Sequence, residues 1–341
     1  MKLIFLIFLI LNLNFQMELD VAFMDGFKIS KEEAKAIEEK LKENPDDLVL
    51  RVKIIGYYSI LRFKDEKAKE EYQKNVLWII KNKPDLEAKN ISIFKLDPLI
   101  DKDAYNEGKN LWLENLEKFK DNINVLANAA DYFLIYEKEL SEKFYKRLQE
   151  LEPKNPQWYE KLGFLYKLDL RKLKDNEKKK ELAKRSLEEF EKAYKLETEA
   201  EKSYTLIDLA EVAFEAGEFG EAKEFAKELL EKSKKNEKKW YYGNSIHYGN
   251  IVLGKIALAE NKIKDAKKYL LEAGKTPGSP QLNSFGPDFS LAEELLKKGE
   301  KKAVLEYLKL CEKFWKSGQE KLKDWQVLIK GGRMPDFRKK Y

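Results

Sequence analysis

The sequence predicts an all-α protein built from antiparallel helical hairpins. Two stretches carry this prediction, residues 206–233 and residues 249–274. Each has the apolar periodicity of two amphipathic helices joined by a tight turn, with small residues where the helices would touch. The composition agrees, because 43% of the residues are hydrophobic, 37% are charged and only 9 are prolines. A disordered chain has fewer apolar residues.

The net charge of +5 is concentrated at the two ends of the chain. Lys2 contributes one positive charge and residues 330–341 contribute a net four, so residues 3–329 carry no net charge. A neutral body argues against nucleic acid as a partner, because that binding requires a sustained basic face. We interpret the basic tail, residues 331–341, as a short disordered terminus.

The chain has one cysteine, Cys311, and one histidine, His247. A single cysteine cannot form an internal disulfide, and no Cys/His cluster has the spacing of a zinc site. No glycine-rich phosphate loop of the Walker type is present. Cys311 lies on an apolar helical stripe, which predicts a core position. We therefore predict no metal, no cofactor and no catalytic activity.

Residues 1–16 have the pattern of a secretory signal peptide, with Lys2 followed by an uninterrupted apolar run at residues 3–11. That run is far shorter than the roughly 18 residues that a membrane-spanning helix needs. No small-x-small pair marks a cleavage site, so a true start at Met17 or Met24 is the alternative. Export predicts a secreted or periplasmic protein without a stable membrane span after signal removal. The alternative start predicts a cytoplasmic protein.

Residues 28–121 are predicted to form degenerate helical hairpins. Ser30 followed by Glu33 is a capping box at the start of the first of these helices. The Asn-Pro-Asp-Asp turn at residues 44–47 ends that helix and caps the next one. Residues 88–101 remain open between a short extended piece and a buried helical turn.

Residues 122–155 form a 34-residue unit with three regularly placed marker residues. Ala129 is its small eighth residue, Tyr132 its aromatic eleventh and Pro153 its helix-ending thirty-second. This pattern resembles a tetratricopeptide repeat (TPR), and the resemblance covers residues 122–273. It implies a right-handed superhelical array of antiparallel helical hairpins, a TPR-like α-solenoid.

Three further units continue the resemblance. In the second, residues 159–166 match the family pattern WxxLGxxY with Tyr at its first position, and a charged insertion precedes the second helix. The third and fourth units are stretched, with extra length in residues 236–248 that predicts a longer first helix. The matching positions of these two units are Leu209, Ala210, Ala213, Gly217, Phe219, Ala222, Leu253, Gly254, Ala257, Ile263, Ala266, Leu270 and Ala273.

Residues 274–290 are predicted to be a proline- and glycine-rich loop that is neither helix nor strand. Leu282 and Phe285 are expected to tuck into the solenoid, and Asp288 is expected to cap the helix that follows. Residues 291–330 are predicted to form one more helical hairpin and a capping helix.

In tetratricopeptide proteins the first helices of successive hairpins line a concave groove that binds peptides or other proteins. The Lys/Asn clamp that some members use for a terminal carboxylate is not recognisable here, so no specific peptide class is implied. The alternative is that the polar groove residues simply face water. Carried over by position, the groove includes Gln157, Glu160, Lys161, Tyr204, Asp208, Glu211, His247, Tyr248 and Lys255.

Two departures from the repeat are further candidates for binding. Residues 240–250 combine aromatic side chains with His247 and Asn250, which suits a binding surface, although packing of the next hairpin is the alternative. For His247 a structural role is favoured over chemistry, because no carboxylate lies at helical spacing from it. In the loop, Asn283 and Ser284 can present an amide and a hydroxyl to a partner.

The sequence thus predicts a non-catalytic helical-repeat scaffold that binds an unidentified protein or peptide. The alternative is an all-helical hydrolase with Glu160, Asp208 and Glu211 as its candidate acids. The sequence does not show the separation between two carboxylates that such chemistry needs. The predicted binding residues are Tyr204, Asp208, Glu211, His247, Tyr248, Asn250, Asn283 and Ser284.

Overall fold

The fold is all-helical wherever it is described, which confirms the predicted fold class at this level. The chain divides into two compact units, Met1–Pro153 and Lys154–Tyr341. Within each unit most of the consecutive helices pack against each other. A computed structural model describes residues 15–87, 93–170, 172–234 and 239–337.

The first unit is a succession of helices, most of which pack on the helix that follows. Its helices are α1 (residues 15–26), α2 (Lys31–Glu43), α3 (Leu48–Leu61), α4 (Glu66–Asn82), α5 (Lys102–Lys118), α6 (Ile123–Phe133) and α7 (Lys138–Leu151).

Local hydrogen bonds set the starts of these helices where the sequence predicts them. The Glu33 amide donates to Ser30 Oγ at 3.2 Å, and the Ser30 amide donates to the Glu33 carboxylate at 2.7 Å. This is the predicted capping box, which is confirmed. Asp47 caps α3 by accepting from the Leu50 amide at 3.0 Å, as the turn at residues 44–47 predicts.

Helix α1 was not predicted. It crosses residue 16, the predicted end of the signal peptide, while residues 1–14 lie outside the described residues. Leu19 and Phe23 are buried, and Gly26 packs directly on α3. A Cβ at position 26 would lie 2.2 Å from the Lys53 carbonyl oxygen. The folded unit therefore begins before residue 28, and the signal peptide stays a prediction.

Residues 88–101 are turns rather than a strand in their described part, residues 93–101. The buried carboxylate of Asp101 pairs with Arg62 at 2.8 Å and accepts from Gln73 at 2.8 Å. Because a buried charge without a partner is costly, these bonds fix the end of the segment against α3 and α4.

The second unit contains the hairpins that the sequence predicts over residues 206–233 and 249–274, present as α10/α11 and α12/α13. Its helices are α8 (Pro156–Leu170), α9 (Asn176–Leu196), α10 (Lys202–Ala216), α11 (Phe219–Lys234), α12 (Tyr242–Ala259), α13 (Ile263–Gly274), α14 (Pro280–Phe285), α15 (Ser290–Lys297), α16 (Lys301–Cys311), a 3₁₀ turn at Lys316–Gly318, and α17 (Gln319–Lys330).

Part of each insertion lengthens a helix. The charged insertion after residue 166 extends α9 to 21 residues, against 16 in α11. Helix α12 has 18 residues against 15 in α10, so the prediction of a longer first helix is confirmed. In this unit α10 also contacts α12, which makes the first helices of these two hairpins neighbours.

The expectation that residues 274–290 contain no helix is wrong. Ser279 caps the six-residue helix α14 by accepting from the Leu282 amide at 2.9 Å, and Pro280 occupies its first turn. Leu282 is buried as expected, but Phe285 is 62% exposed and does not tuck into the fold. The Ser290 amide at the start of α15 donates to the Asp288 carboxylate at 2.7 Å, but the N-cap residue of α15 is Phe289, one position later than expected.

The end of the chain has its own apolar core. Cys311 is buried there beside Trp315, Leu322 and Trp325, which confirms its predicted core position. Gly299, with φ of 84°, makes the turn between α15 and α16. None of the described helices combines the length and the apolar character that crossing a membrane requires.

Candidate functional site

One face of α10 carries four polar or aromatic residues at helical spacing, Tyr204, Asp208, Glu211 and Glu215. Side chains separated by three or four residues project from the same side of a helix. The same spacing puts Glu160, Phe164 and Lys167 on one side of α8. Together with Trp240 and with Lys255 of α12, we call these residues the first-helix face.

Lys167 of α8 joins two of the predicted acids. Its Nζ lies 2.5 Å from the Asp208 carboxylate, and it also forms an ion pair with Glu211. Burial by itself would lower the pKa of Lys167, but the charges of Asp208 and Glu211 more than offset this effect and raise it. We call these three residues the Lys167 cluster.

Glu215 extends the ion pairs to α9 and α12. Its carboxylate lies 2.5 Å from Lys179 and 2.9 Å from Lys255. Burial opposes ionisation of Glu215, yet the two lysines lower its pKa below the ordinary value. Glu215 was not among the predicted site residues, although it lies seven residues after Asp208 and helical spacing could have indicated it.

Aromatic rings lie at the start of α10. The Tyr204 ring centroid is 5.6 Å from that of Trp240 and 4.7 Å from that of Tyr241. Tyr204 is 40% exposed and Trp240 is 55% exposed, whereas Tyr241 is buried. Exposed aromatic rings supported by a buried one form a rigid, partly apolar surface.

A second pair of carboxyl groups lies between α8, α9 and α10. Glu197, at the C-terminal end of α9, is only 6% exposed, and the buried Thr205 hydroxyl donates to its Oε1. The Glu160 carboxyl is within hydrogen-bonding reach of Glu197. Burial is the largest cause that raises the pKa of Glu197 to about 8, with further contributions from Glu160 and Glu201. We call Glu160 and Glu197 the Glu197 pair.

The structure places His247 inside the fold rather than on the first-helix face. Its ring is fully buried, with Nδ1 3.2 Å from the Ala273 carbonyl oxygen. The Asp288 amide donates to Nε2 at 2.9 Å, which assigns the ring hydrogen to Nδ1. The ring thus connects α12 to the end of α13 and to the segment before α15, the structural role that the sequence favoured.

The same turns of α12 hold the segment between α13 and α15. Asn244 donates to Gln281 at 2.8 Å and accepts from the Ser279 hydroxyl at 2.6 Å. A Cβ at Gly243 would lie 1.8 Å from the Gly278 carbonyl oxygen, so only glycine permits this approach. No short-range sequence pattern could have indicated these contacts, because they join residues more than thirty positions apart.

The remaining predicted residues lie in different environments. Asn250 is buried and donates to the carbonyl oxygen of Ile246, while Tyr248 is partly buried and packs edge-on against the His247 ring. Asn283 and Ser284 are exposed, and their carbonyl oxygens accept from the Ser317 hydroxyl. Binding by any of these residues stays a prediction.

The three acids suggested for hydrolysis do not meet at one point. Asp208 and Glu211 share Lys167, and Glu160 is adjacent to Glu197 instead. Among the described residues, no group of three or more His, Cys, Asp or Glu side chains could hold a metal ion. The arrangement offers paired charges, exposed aromatic rings and one buried carboxyl, Glu197, whose pKa is raised to about 8.

No protein-family model matches the sequence, and neither does any curated protein.

Proposed function

We propose that this protein is a non-catalytic helical-repeat scaffold that binds a protein or peptide on the first-helix face. The observation that carries the proposal is the pair of exposed rings, Tyr204 and Trp240, beside a row of compensated charges. Aromatic side chains held in place by their neighbours supply much of the energy in protein interfaces. Their fixed geometry also reduces the entropy lost on binding.

The ion pairs support a binding surface that is organised before the partner arrives. Lys167, Glu215 and Lys255 link α8, α9, α10 and α12 through partly buried pairs. Such pairs fix the side chains and leave little net charge on this part of the surface. Specificity then depends on the rings and on polar groups that are not already compensated.

The tetratricopeptide assignment and the right-handed superhelix belong to this proposal. Their support is the 34-residue unit at residues 122–155 and the helical hairpins that follow each other along residues 156–274. Each hairpin buries its apolar face against the next, which is the principle of a repeat array.

An all-helical hydrolase is the alternative, and one observation favours it. Glu197 has the raised pKa that a general acid requires. However, glycoside hydrolysis by two carboxyl groups needs them roughly 5 to 9.5 Å apart, so that the substrate bond lies between them. Glu160 and Glu197 are within hydrogen-bonding reach, which leaves no room for that bond.

The proposal is tested by partner capture with three forms of the full chain. The wild type is immobilised and partners are identified by mass spectrometry after cross-linking. The double variant Tyr204→Ala/Trp240→Ala should lose the captured partner by about ten-fold or more, because each ring is an exposed anchor. Phe63→Ala, which removes an equally exposed ring in the first unit, should capture it unchanged. Equal capture by all three forms would reject the first-helix face as the binding surface.

Export is proposed on the pattern of residues 1–16. N-terminal sequencing of the protein from its native cells tests this. A mature protein that begins close to residue 17 supports a secreted or periplasmic location, and an N-terminus at Met1 contradicts signal cleavage. A product found in the cytoplasm and starting at Met17 or Met24 supports the alternative.

A further inference from the structure

We propose that the surface where the start of α16 meets the end of α17 binds an anionic phospholipid membrane, a role separate from partner binding on the first-helix face. This surface consists of three cations, Lys301, Lys330 and Arg333, and two apolar side chains, Val327 and Met334. We call these five residues the basic patch. All of them belong to the second unit and are exposed to solvent.

Positive charge is concentrated around these two helices. Residues 301–333 contain nine lysines and arginines but only four acids, a net charge of +5, whereas residues 3–329 as a whole carry no net charge. Three more cations, Arg338, Lys339 and Lys340, follow in the sequence, outside the described residues. A local excess of one sign attracts an oppositely charged surface over about one Debye length, roughly 8 Å at physiological salt.

The three cations of the basic patch are not neutralised by neighbouring acids. Within the described part of the chain, Lys301, Lys330 and Arg333 form no ion pair. Glu300 precedes Lys301 directly, but its carboxylate pairs with Lys267 at 2.8 Å. On the first-helix face, by contrast, the charges compensate each other. The charges of the basic patch therefore remain available to the phosphate groups of a ligand.

The fold holds the three cations at one place. Lys301 is the first residue of α16 and Lys330 is the last residue of α17, and the two helices contact each other. A Cβ at Gly332 would lie 3.9 Å from Lys301 Nζ, which places that ammonium group beside the turn after α17. The turn is fixed, because the Arg333 amide donates to the Leu328 carbonyl oxygen at 2.8 Å and Gly332 has a φ of 77°.

Two exposed apolar side chains accompany these cations. Val327 is 63% exposed in the last turn of α17, and Met334 is 46% exposed in the segment that follows it. Phe337, further along that segment, is buried, so the segment stays on the fold. Exposed apolar groups next to cations are typical of surfaces that lie in a membrane interface, where cations meet lipid phosphates and apolar groups enter the acyl boundary.

The apolar side chains favour lipid over nucleic acid as the partner. Binding to a nucleic-acid backbone depends on cations, and exposed valine and methionine side chains add nothing to contacts with phosphate. The single acid in residues 325–337 is Asp336, against two cations, so the net charge of this segment is also positive. The patch thus combines the two features that an anionic lipid surface recognises.

The test is sedimentation of the full-length chain with lipid vesicles. Vesicles of phosphatidylcholine with about one third phosphatidylglycerol should bind the wild type, and vesicles of phosphatidylcholine alone should bind it at least about ten-fold more weakly. Raising the salt concentration from about 0.05 M to about 0.5 M should release the protein, because the shorter Debye length screens the attraction.

Two variants separate the contributions of charge and apolar contact. Lys301→Gln/Lys330→Gln/Arg333→Gln should weaken binding to the anionic vesicles by about thirty-fold or more, because each cation near such a surface strengthens binding about five-fold. Val327→Ser/Met334→Ser should weaken it by about five-fold, since less apolar surface enters the interface. The substituted side chains are all exposed, so both variants should keep the fold, which circular dichroism checks.

The matched control is Lys31→Gln/Lys35→Gln/Lys40→Gln, which removes the same charge from exposed lysines of α2 and should bind as the wild type does. Equal losses in the two triple variants would show that net charge, and not the basic patch, drives binding. Residues 338–341 are retained in every variant. Unchanged binding by the first triple variant would therefore assign the vesicles to those residues and overturn the inference.

Three further results would overturn it: wild-type protein that does not bind the anionic vesicles, equal binding to neutral and anionic vesicles, or tighter binding to a short DNA duplex than to the vesicles. Partner capture that depends on Tyr204 and Trp240 is measured without lipid. The proposed function therefore stands or fails independently of the basic patch.

Discussion

The Lys167 cluster and the Glu197 pair are two solutions to the same electrostatic problem. Each places two acidic side chains together on or beside the first-helix face. In the first, an ammonium group bridges the acids, and in the second burial raises the pKa of Glu197 to about 8, so that this carboxyl is neutral at pH 7. The difference shows that a lysine keeps two neighbouring acids ionised, whereas a buried acid without such a partner takes up a proton.

The largest loss of stability is expected from removing the ammonium group of the Lys167 cluster. Lys167→Met should cost about 2 kcal/mol of unfolding free energy at pH 7, since it leaves two partly buried acids facing each other. Urea denaturation measures this loss. The pKa of Lys167 is raised in the fold, so its contribution is complete below the unfolded value near 10.4 and disappears only as pH rises through the higher folded value.

Lys234→Met is the matched control for that prediction. Lys234 is 74% exposed and forms an ion pair with Glu231, a neighbour on its own helix. Its replacement should cost less than about 0.5 kcal/mol. Equal losses in the two variants would show that the Lys167 cluster is no stronger than a surface pair.

A further variant gives the Glu197 pair an ammonium group like that of the Lys167 cluster. Glu160→Lys places an ammonium group beside Glu197 and should raise the unfolding free energy by about 1 to 1.5 kcal/mol at pH 9, where the wild-type pair is ionised. Glu231→Lys is the control, with the same change of charge on an exposed position. A gain of the same size in the control would point to net charge instead.

Removing one acid of the second pair has a pH-dependent effect. The folded pKa of about 8 for Glu197 lies above its unfolded value, so the folded state holds the extra proton and wild-type stability falls as pH rises from about 4.5 to 8. Glu197→Gln should remove this fall, which amounts to about 1 kcal/mol for each pH unit within this range. Thermal unfolding at pH 5, 7 and 9 measures it, and parallel curves for the two proteins would contradict it.

The smallest loss of stability is expected from replacing Glu215, which pairs with one lysine of α9 and one of α12. Glu215→Gln should cost about 0.5 kcal/mol at pH 7, since Lys179 and Lys255 remain partly exposed to water. The pKa of Glu215 is lowered, so its contribution is present above the unfolded value near 4.5 and is lost as pH falls through the folded value. The difference in unfolding free energy between the variant and the wild type should therefore become smaller below pH 4, as acid unfolding experiments would measure.

Much of the local structure could be predicted from the sequence. The capping box at Ser30 and the cap at Asp47 involve groups three residues apart, so the chain need not be folded to reveal them. The hairpins over residues 206–233 and 249–274 follow from apolar periodicity in the same way. Helix α14 was missed because it has only six residues and is flanked closely by Pro277, Gly278, Gly286 and Pro287, which are typical of loops.

The candidate site was predictable only in part. Helical spacing placed Tyr204, Asp208 and Glu211 on one side of α10, and the fold keeps them there. It could not indicate that Asp208 and Glu211 share Lys167, more than forty residues earlier in the chain. The repeat positions predicted that His247 lines the groove, whereas its ring is buried and bonded to Ala273 and Asp288, which are distant in the sequence.

The sequence by itself determined the helices, their caps and the polar stripes along them, because these depend on residues within one or two turns of each other. Only the tertiary structure decided which of these polar stripes contact each other. Glu197 illustrates the difference, since nothing near it in the sequence distinguishes it from the other acids of α9. Its raised pKa arises from burial and from Glu160, thirty-seven residues away, which packing alone brings into reach.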